Sequence, residues 1–95
     1  MTKAFILEFL KTHKEELARR YGVEKIGLFG SYAKDVQHED SDIDIAILSN
    51  KKDFFLREEL RERLQEAFGA PVDLGYLDSF RSFYKDRVER EIVYA

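Results

Sequence analysis

The segment Asp42–Leu48, with the sequence DIDIAIL, places an isoleucine at every second position, and this pattern restricts the folds open to the chain. A period of two is typical of a β-strand, in which side chains two residues apart point to the same face. The three isoleucines then need a hydrophobic core, and Asp42 and Asp44 lie together on the opposite face. Burying a bare carboxylate costs several kcal/mol, so we expect both aspartates to contact solvent or cations.

A glycine and a serine follow the apolar run that precedes these aspartates. Val23–Phe29 is rich in strand-forming residues and is ended by Gly30, which permits a sharp turn and a close approach to a ligand. Ser31 opens a short helix-compatible segment, where free backbone N–H groups favour phosphate. Two carboxylates that point the same way offer hard oxygen ligands suited to Mg²⁺. Together these features predict a site for a nucleoside triphosphate with Mg²⁺.

A third aspartate lies in another strand-like segment. Pro71–Leu77 alternates in the same way, and Asp73 shares its face with Gly75. Small residues recur on this face, at Gly27 and Ala46 of the other two strands, so we expect one face of the sheet to pack on helices and the other to be partly open as a cleft. On a strand beside the aspartate pair, Asp73 would lie about 5 Å across from it.

The chain resembles the nucleotidyltransferase superfamily that includes DNA polymerase β, on the motifs Gly30-Ser31-x-Ala33 and Ser41-Asp42-x-Asp44. More narrowly, it is similar to the minimal nucleotidyltransferases of prokaryotes, which occur as antitoxins beside a helical HEPN-domain toxin. The resemblance covers the whole chain. It implies an α+β fold of the polymerase-β type, in which a small mixed sheet of about three strands packs on helices on one face and carries the catalytic cleft on the other.

The resemblance also implies roles for the site residues. Asp42 and Asp44 would hold two Mg²⁺ ions, and Asp73, which matches a third carboxylate of the family, would complete the site of the metal that activates the attacking hydroxyl. Gly30 and Ser31 would bind the β- and γ-phosphates of ATP. The three aspartates are therefore the predicted catalytic and metal-binding residues, and the glycine–serine pair with Asp42 and Asp44 forms the predicted nucleotide site.

The loop between the glycine–serine pair and the aspartates is polar. Asp35 stands where many family members have glycine, and aspartate tolerates a left-handed backbone better than most residues. Ser41 is expected to fix this loop rather than to touch substrate. We interpret His38 as a solvated loop residue and His13 as a packed or surface histidine, and neither as catalytic.

Three amphipathic segments account for the remaining elements. Thr2–Tyr21 and Phe54–Phe68 carry apolar residues at spacings of three and four, which predicts helices, and Asp53 is suited to cap the second of them. A last helix is expected to begin at Asp78 or Ser79. Its aromatic and aliphatic stripe predicts a packed core face, part of which could also meet a partner.

Size and charge exclude several classes of protein. The 95 residues suffice for one domain, spanning residues 1–95. The net charge of −3 and the absence of a basic patch argue against direct nucleic-acid binding. The chain has no cysteine, so it has no disulfide framework and no thiolate metal site. Its N-terminus is too charged for a signal peptide and no segment approaches a membrane span, so we expect a cytoplasmic protein.

The resemblance implies transfer of a nucleoside monophosphate from a nucleoside triphosphate to a hydroxyl group. No residues are left for a domain that would bind the acceptor, so the partner should supply it. For minimal nucleotidyltransferases beside HEPN toxins, the resemblance implies that AMP is transferred from ATP to a tyrosine of the toxin, which inactivates the toxin. Two alternatives remain at this point: an antitoxin that neutralises its toxin by binding alone, and a nucleotidyltransferase acting on a small molecule such as an aminoglycoside.

Overall fold

A computed structural model describes all 95 residues as a four-stranded sheet with five α-helices. The helices are α1 (Lys3–Thr12), α2 (Lys14–Tyr21), α3 (Gly30–Ala33), α4 (Phe54–Phe68) and α5 (Ser82–Glu91), and the strands are β1 (Val23–Phe29), β2 (Ile43–Ser49), β3 (Val72–Tyr76) and β4 (Val93–Tyr94). A 3₁₀ turn at Leu77–Ser79 connects β3 to the segment before α5. No helix is of the length and apolarity that a membrane crossing requires.

The sheet is mixed, with the strand order β3-β2-β1-β4. β1 pairs with β2 and with β4 in antiparallel fashion, whereas β2 and β3 are parallel. A parallel pair needs a crossover connection, and α4 provides it. The parallel pairing brings the amino ends of β2 and β3 to the same edge of the sheet. The predicted α+β fold with a small mixed sheet is confirmed, and β4 is an additional strand that sequence reasoning missed.

The main core lies between one face of the sheet and helices α1, α2 and α4. The three isoleucines of β2 are at most 2% exposed, as the period of two predicts. They pack in one cluster with Ile6 and Leu10 of α1, Leu17 of α2, and Leu60 and Leu64 of α4. Asp53 caps α4 as expected, because its Oδ1 accepts hydrogen bonds from the backbone N–H groups of the second and third residues of the helix. This packing fixes β2 rigidly, and with it the aspartates on the opposite face.

The opposite face is partly covered by the C-terminal segment. A smaller cluster joins Phe29 and Ala46 of the sheet to Leu77 and Val88. Ile92 lies so close to Gly27 that an added Cβ would sit 2.6 Å from the Ile92 Cγ1 atom, and Phe80 occupies the equivalent space over Gly75. The small residues of this face therefore accommodate the C-terminal segment as well as a cleft.

The first helix differs from the single helix predicted over Thr2–Tyr21. The helix is interrupted at His13, where the backbone leaves the helical region (φ −98°, ψ 8°), and α2 begins at the next residue. The imidazole stacks on Phe9 at 4.1 Å, and its Nδ1 lies 2.8 Å from the Phe9 carbonyl oxygen. His13 is thus a packed residue of the helix junction.

The last helix also begins later than predicted. Asp78 and Ser79 lie in the 3₁₀ turn, and α5 starts only at Ser82, with Arg81 as its N-cap residue. Asp78 instead pairs with Lys52, whose Nζ lies 2.6 Å from its Oδ2 atom. The ion pair and the packing of Phe80 against the sheet keep this segment out of a regular helix.

Candidate active site

Three aspartates meet at the edge where the parallel strands β2 and β3 begin. Asp44 and Asp73 are direct register partners on the two strands, and Asp42 immediately precedes β2. Asp42 and Asp73 are exposed, whereas Asp44 is half-buried. The structure therefore brings together the three carboxylates that the sequence analysis selected.

The environment of Asp44 disfavours its negative charge. Burial is the main cause that raises the pKa of Asp44, from 3.8 to about 6, and the charges of Asp73, Asp42 and Glu91 add to it. None of the ion pairs of the chain involves any of the three aspartates. The sheet edge consequently carries concentrated negative charge that no lysine or arginine side chain neutralises.

Gly30 lies against the carboxylate of Asp44, which leaves no room for a side chain there. Its φ is +72°, and a Cβ added there would overlap the Asp44 Oδ2 atom and lie 3.1 Å from Cγ. Only glycine fits both the left-handed backbone and the close approach of the carboxylate. The sequence pattern predicts a sharp turn and phosphate binding at Gly30, and the structure adds that this glycine makes room for Asp44.

The segment after Gly30 forms a tight turn that leads to the loop. Ser31 is the second residue of α3, and its carbonyl oxygen accepts a hydrogen bond from the Val36 N–H at 3.0 Å. Asp35 adopts φ +57°, a left-handed conformation that aspartate tolerates better than most residues. Ser41 Oγ accepts a hydrogen bond from the exposed His38 backbone N–H at 3.1 Å. Ser41 therefore closes the loop before β2, which agrees with the structural role expected for it.

Helix α5 contributes residues that the sequence analysis did not assign to the site. Tyr84, Arg87 and Glu91 line a cavity of about 140 Å³ together with Gly30 and Asp44. The helical spacing of these three residues, at i, i+3 and i+7, was a signal for a shared face. The sequence pattern predicts a packed core face for the stripe that contains Tyr84, part of which could also meet a partner, whereas Tyr84 is 38% exposed.

Glu91 links α5 to the glycine–serine turn. Its Oε1 lies 2.9 Å from Lys34 Nζ and 3.4 Å from Arg87 Nε. These two cations lower the pKa of Glu91. Lys34 and Arg87 are thereby held beside the cavity, although each remains partly exposed to solvent.

The carboxylate oxygens of the three aspartates are suited to bind a divalent cation. No group of three or more His, Cys, Asp or Glu side chains is arranged to hold a metal ion. Mg²⁺ in nucleotide enzymes, however, usually takes one or two carboxylates, with water and phosphate oxygens completing the coordination. A divalent cation would also relieve the repulsion that raises the pKa of Asp44. The residues present therefore fit such an ion.

Comparison with known proteins identifies the family. A model of the nucleotidyltransferase domain matches residues 10–95. The chain belongs to this family. A protein adenylyltransferase, MntA, of Thermococcus cleftensis is 40% identical over 95 residues, which cover 99% of this chain and 96% of that protein.

Solved structures of the same family share the fold. A toxin–antitoxin complex with AMP-PNP contains a chain that is 33% identical, with a TM-score of 0.72 and coverage of 88% of this chain and 70% of that one. A complex of the MNT antitoxin with the tri-AMPylated HEPN toxin of Shewanella oneidensis gives 26% identity and a TM-score of 0.71, covering 98% and 71% of the two chains. The predicted minimal nucleotidyltransferase family and its fold are confirmed, and the chain is a nucleotidyltransferase enzyme.

Proposed function

We propose that this nucleotidyltransferase is an antitoxin that transfers AMP from ATP to a tyrosine hydroxyl of a HEPN toxin in a Mg²⁺-dependent reaction and so inactivates the toxin. The observation that carries the proposal is the register pair Asp44–Asp73 beside Gly30, in a chain similar over its whole length to a protein adenylyltransferase. A single domain covering residues 1–95 and a cytoplasmic location belong to the same proposal.

Asp42 and Asp44 are the residues we assign to Mg²⁺, with Asp73 as the third carboxylate. Two ions, when bound, would neutralise phosphate charge and stabilise the entering and leaving oxygens of the displacement. The backbone of Gly30 and Ser31 would orient the β- and γ-phosphates. Asp73 is exposed at the edge, where an acceptor hydroxyl could approach, and we assign it to receive the hydroxyl proton.

Arg87 of α5 would complete the triphosphate site. Arg87 lines the cavity with Gly30 and Asp44, and its side chain remains 59% exposed, so it is free to turn toward a ligand. The guanidinium matches phosphate geometry through several N–H donors. Arg87 would therefore bind the triphosphate, while Glu91 holds it near the cavity before ATP enters.

The acceptor is proposed from the relatives and from an exposed aromatic residue of α5. The HEPN toxin of Shewanella oneidensis is tri-AMPylated in its complex with the MNT antitoxin. Phe83, the residue before Tyr84 in α5, is 76% exposed. An exposed aromatic residue in this position suits contact with a protein acceptor.

A binding antitoxin without catalysis is the second candidate. Phe54 and Phe55 at the start of α4 are 60% and 80% exposed, and they pack against each other on the surface. Exposed aromatic pairs of this kind are typical of protein interfaces, and this patch involves none of the aspartates. Neutralisation that depends on this patch and not on Asp42 or Asp44 would favour this candidate.

The deciding experiment incubates the chain with ATP labelled on the α-phosphate and Mg²⁺, with and without a HEPN partner protein. Label should move to a tyrosine of the partner, and Asp42→Asn or Asp44→Asn should abolish the transfer. Asp40→Asn removes an exposed charge of the neighbouring loop and should transfer normally. A tight complex in which the wild-type chain transfers no label would instead support neutralisation by binding.

A further inference from the structure

Tyr84 occupies a position at the active site that the proposed reaction with a partner does not use. It lies in the first turns of α5 and lines the cavity formed with Gly30, Asp44 and Arg87. Its ring packs edge-on against Phe80 at 5.2 Å between ring centroids. The ring is therefore fixed by packing, while the residue stays 38% exposed.

The Tyr84 hydroxyl is in the electrostatic field of the aspartates. Burial raises the pKa of the Tyr84 phenol, and the charges of Asp44 and Asp73 raise it further. The phenol thus lies close enough to both carboxylates to experience their charge. The cavity that Tyr84 lines together with Asp44 is the place in which an acceptor hydroxyl is expected.

The other four tyrosines do not combine exposure with this location. Tyr21 and Tyr32 are buried. Tyr76 lies at the far end of β3 from Asp73, where Lys52 and Arg57 contact its ring. Tyr94 lies in β4, with the Lys25 ammonium over its ring. Only Tyr84 presents a phenol at the cavity.

We propose that Tyr84 is an intramolecular acceptor and that the chain adenylylates itself there when no partner tyrosine fills the site. This rests on the proposed adenylyl transfer. The phenol oxygen would bond to the α-phosphorus of ATP, the bond from that phosphorus to the bridging oxygen of the β-phosphate would break, and pyrophosphate would leave. The phenol proton would pass to Asp73 and then to water. An acceptor within the same chain has a high effective concentration, which favours this transfer in the absence of a partner.

The modification would block the site. An AMP group on Tyr84 would fill the cavity beside Asp44 and add negative charge where the triphosphate has to bind. A self-adenylylated chain should therefore lose transfer to other acceptors. The reaction would keep the chain inactive until the AMP group is removed.

The test incubates the full chain with ATP and Mg²⁺ without any partner and maps AMP by mass spectrometry of proteolytic peptides. We expect AMP on the Tyr84 peptide, no AMP in Tyr84→Phe, and unchanged modification in Tyr94→Phe, since Tyr94 is an exposed residue that does not line the cavity. The fraction modified per unit time should not depend on protein concentration, because the reaction is intramolecular.

Four other outcomes would overturn the inference, and they are distinguishable. Transfer of AMP to the HEPN partner with no AMP on Tyr84 of the chain alone would refute self-adenylylation and leave the proposed function intact. Absence of transfer to either protein would refute both. AMP on a different residue, or a modification rate that rises with protein concentration, would refute an intramolecular reaction at Tyr84.

Discussion

The charge of Asp44 should destabilise the nucleotide-free chain, so Asp44→Asn should make the protein more stable while removing its activity. Asparagine keeps the size of the side chain and removes the charge that burial and the neighbouring aspartates disfavour. The environment raises the pKa of Asp44 from 3.8 to about 6, and each pH unit is worth about 1.4 kcal/mol. The rise therefore corresponds to about 3 kcal/mol. Because the group is half-buried and solvent screens part of the repulsion, we expect a gain of about 1–2 kcal/mol.

This gain should depend on pH in a defined direction. The folded chain holds a proton on Asp44 up to a higher pH than the unfolded chain does, so wild-type stability falls as pH rises from 3.8 to about 6. The variant lacks this titration. The difference in unfolding free energy should therefore be near zero below pH 4 and fully developed above pH 6.

Thermal and urea unfolding at pH 4 and pH 7 measure the effect. For a domain of this size, 1–2 kcal/mol corresponds to a rise in Tm of about 5–15 °C at pH 7. Asp40→Asn is the matched control, since it removes an exposed charge nearby and should change Tm little. Mg²⁺ should raise the Tm of the wild type more than that of Asp44→Asn. An unchanged or lower Tm for Asp44→Asn at pH 7 would refute the electrostatic argument.

Three further substitutions test other parts of the site and fold. Gly30→Ala should lose activity, and it should lose more stability than Gly69→Ala. Both glycines have positive φ, but only Gly30→Ala would place a methyl group against a catalytic carboxylate. Equal losses of stability in urea unfolding would contradict this. Arg87→Gln should raise KM for ATP severalfold, whereas Arg90→Gln, an exposed substitution on the same helix, should not, as steady-state kinetics would show. Asp53→Ala removes the cap of α4 and should cost about 1 kcal/mol of stability with activity retained; a loss of activity at full folding would show that this cap also positions the site.

The sequence predicted the central strand and its aspartates because their signals are local. A period of two over seven residues sets both the buried isoleucines of β2 and the shared face of Asp42 and Asp44. The same alternation placed Asp73 on its strand, and the parallel pairing across α4 brings it opposite Asp44. Capping by Asp53 and the left-handed Asp35 also follow from the local preferences of these residues.

The contribution of α5 could not be predicted in the same way, because it depends on contacts distant in sequence. The packing of Ile92 and Phe80 over the glycines of the sheet orients α5. This packing decides whether the helix face with Tyr84 and Arg87 meets the core or the active site. The strand β4 is only two residues long and forms through pairing with β1, so it has no periodicity to detect. The break at His13 likewise has no local signal, because the segment contains neither glycine nor proline.

The most direct test of the active site is the rate of AMP transfer to the HEPN partner by Asp73→Asn, measured beside ATP binding by the same variant. We predict that transfer falls by about 10²- to 10⁴-fold, since the residue that receives the hydroxyl proton is lost. ATP binding should persist, because Gly30, Asp42 and Asp44 are intact. Transfer by Asp73→Asn at the wild-type rate would contradict the assignment of the catalytic centre to the edge of β2 and β3.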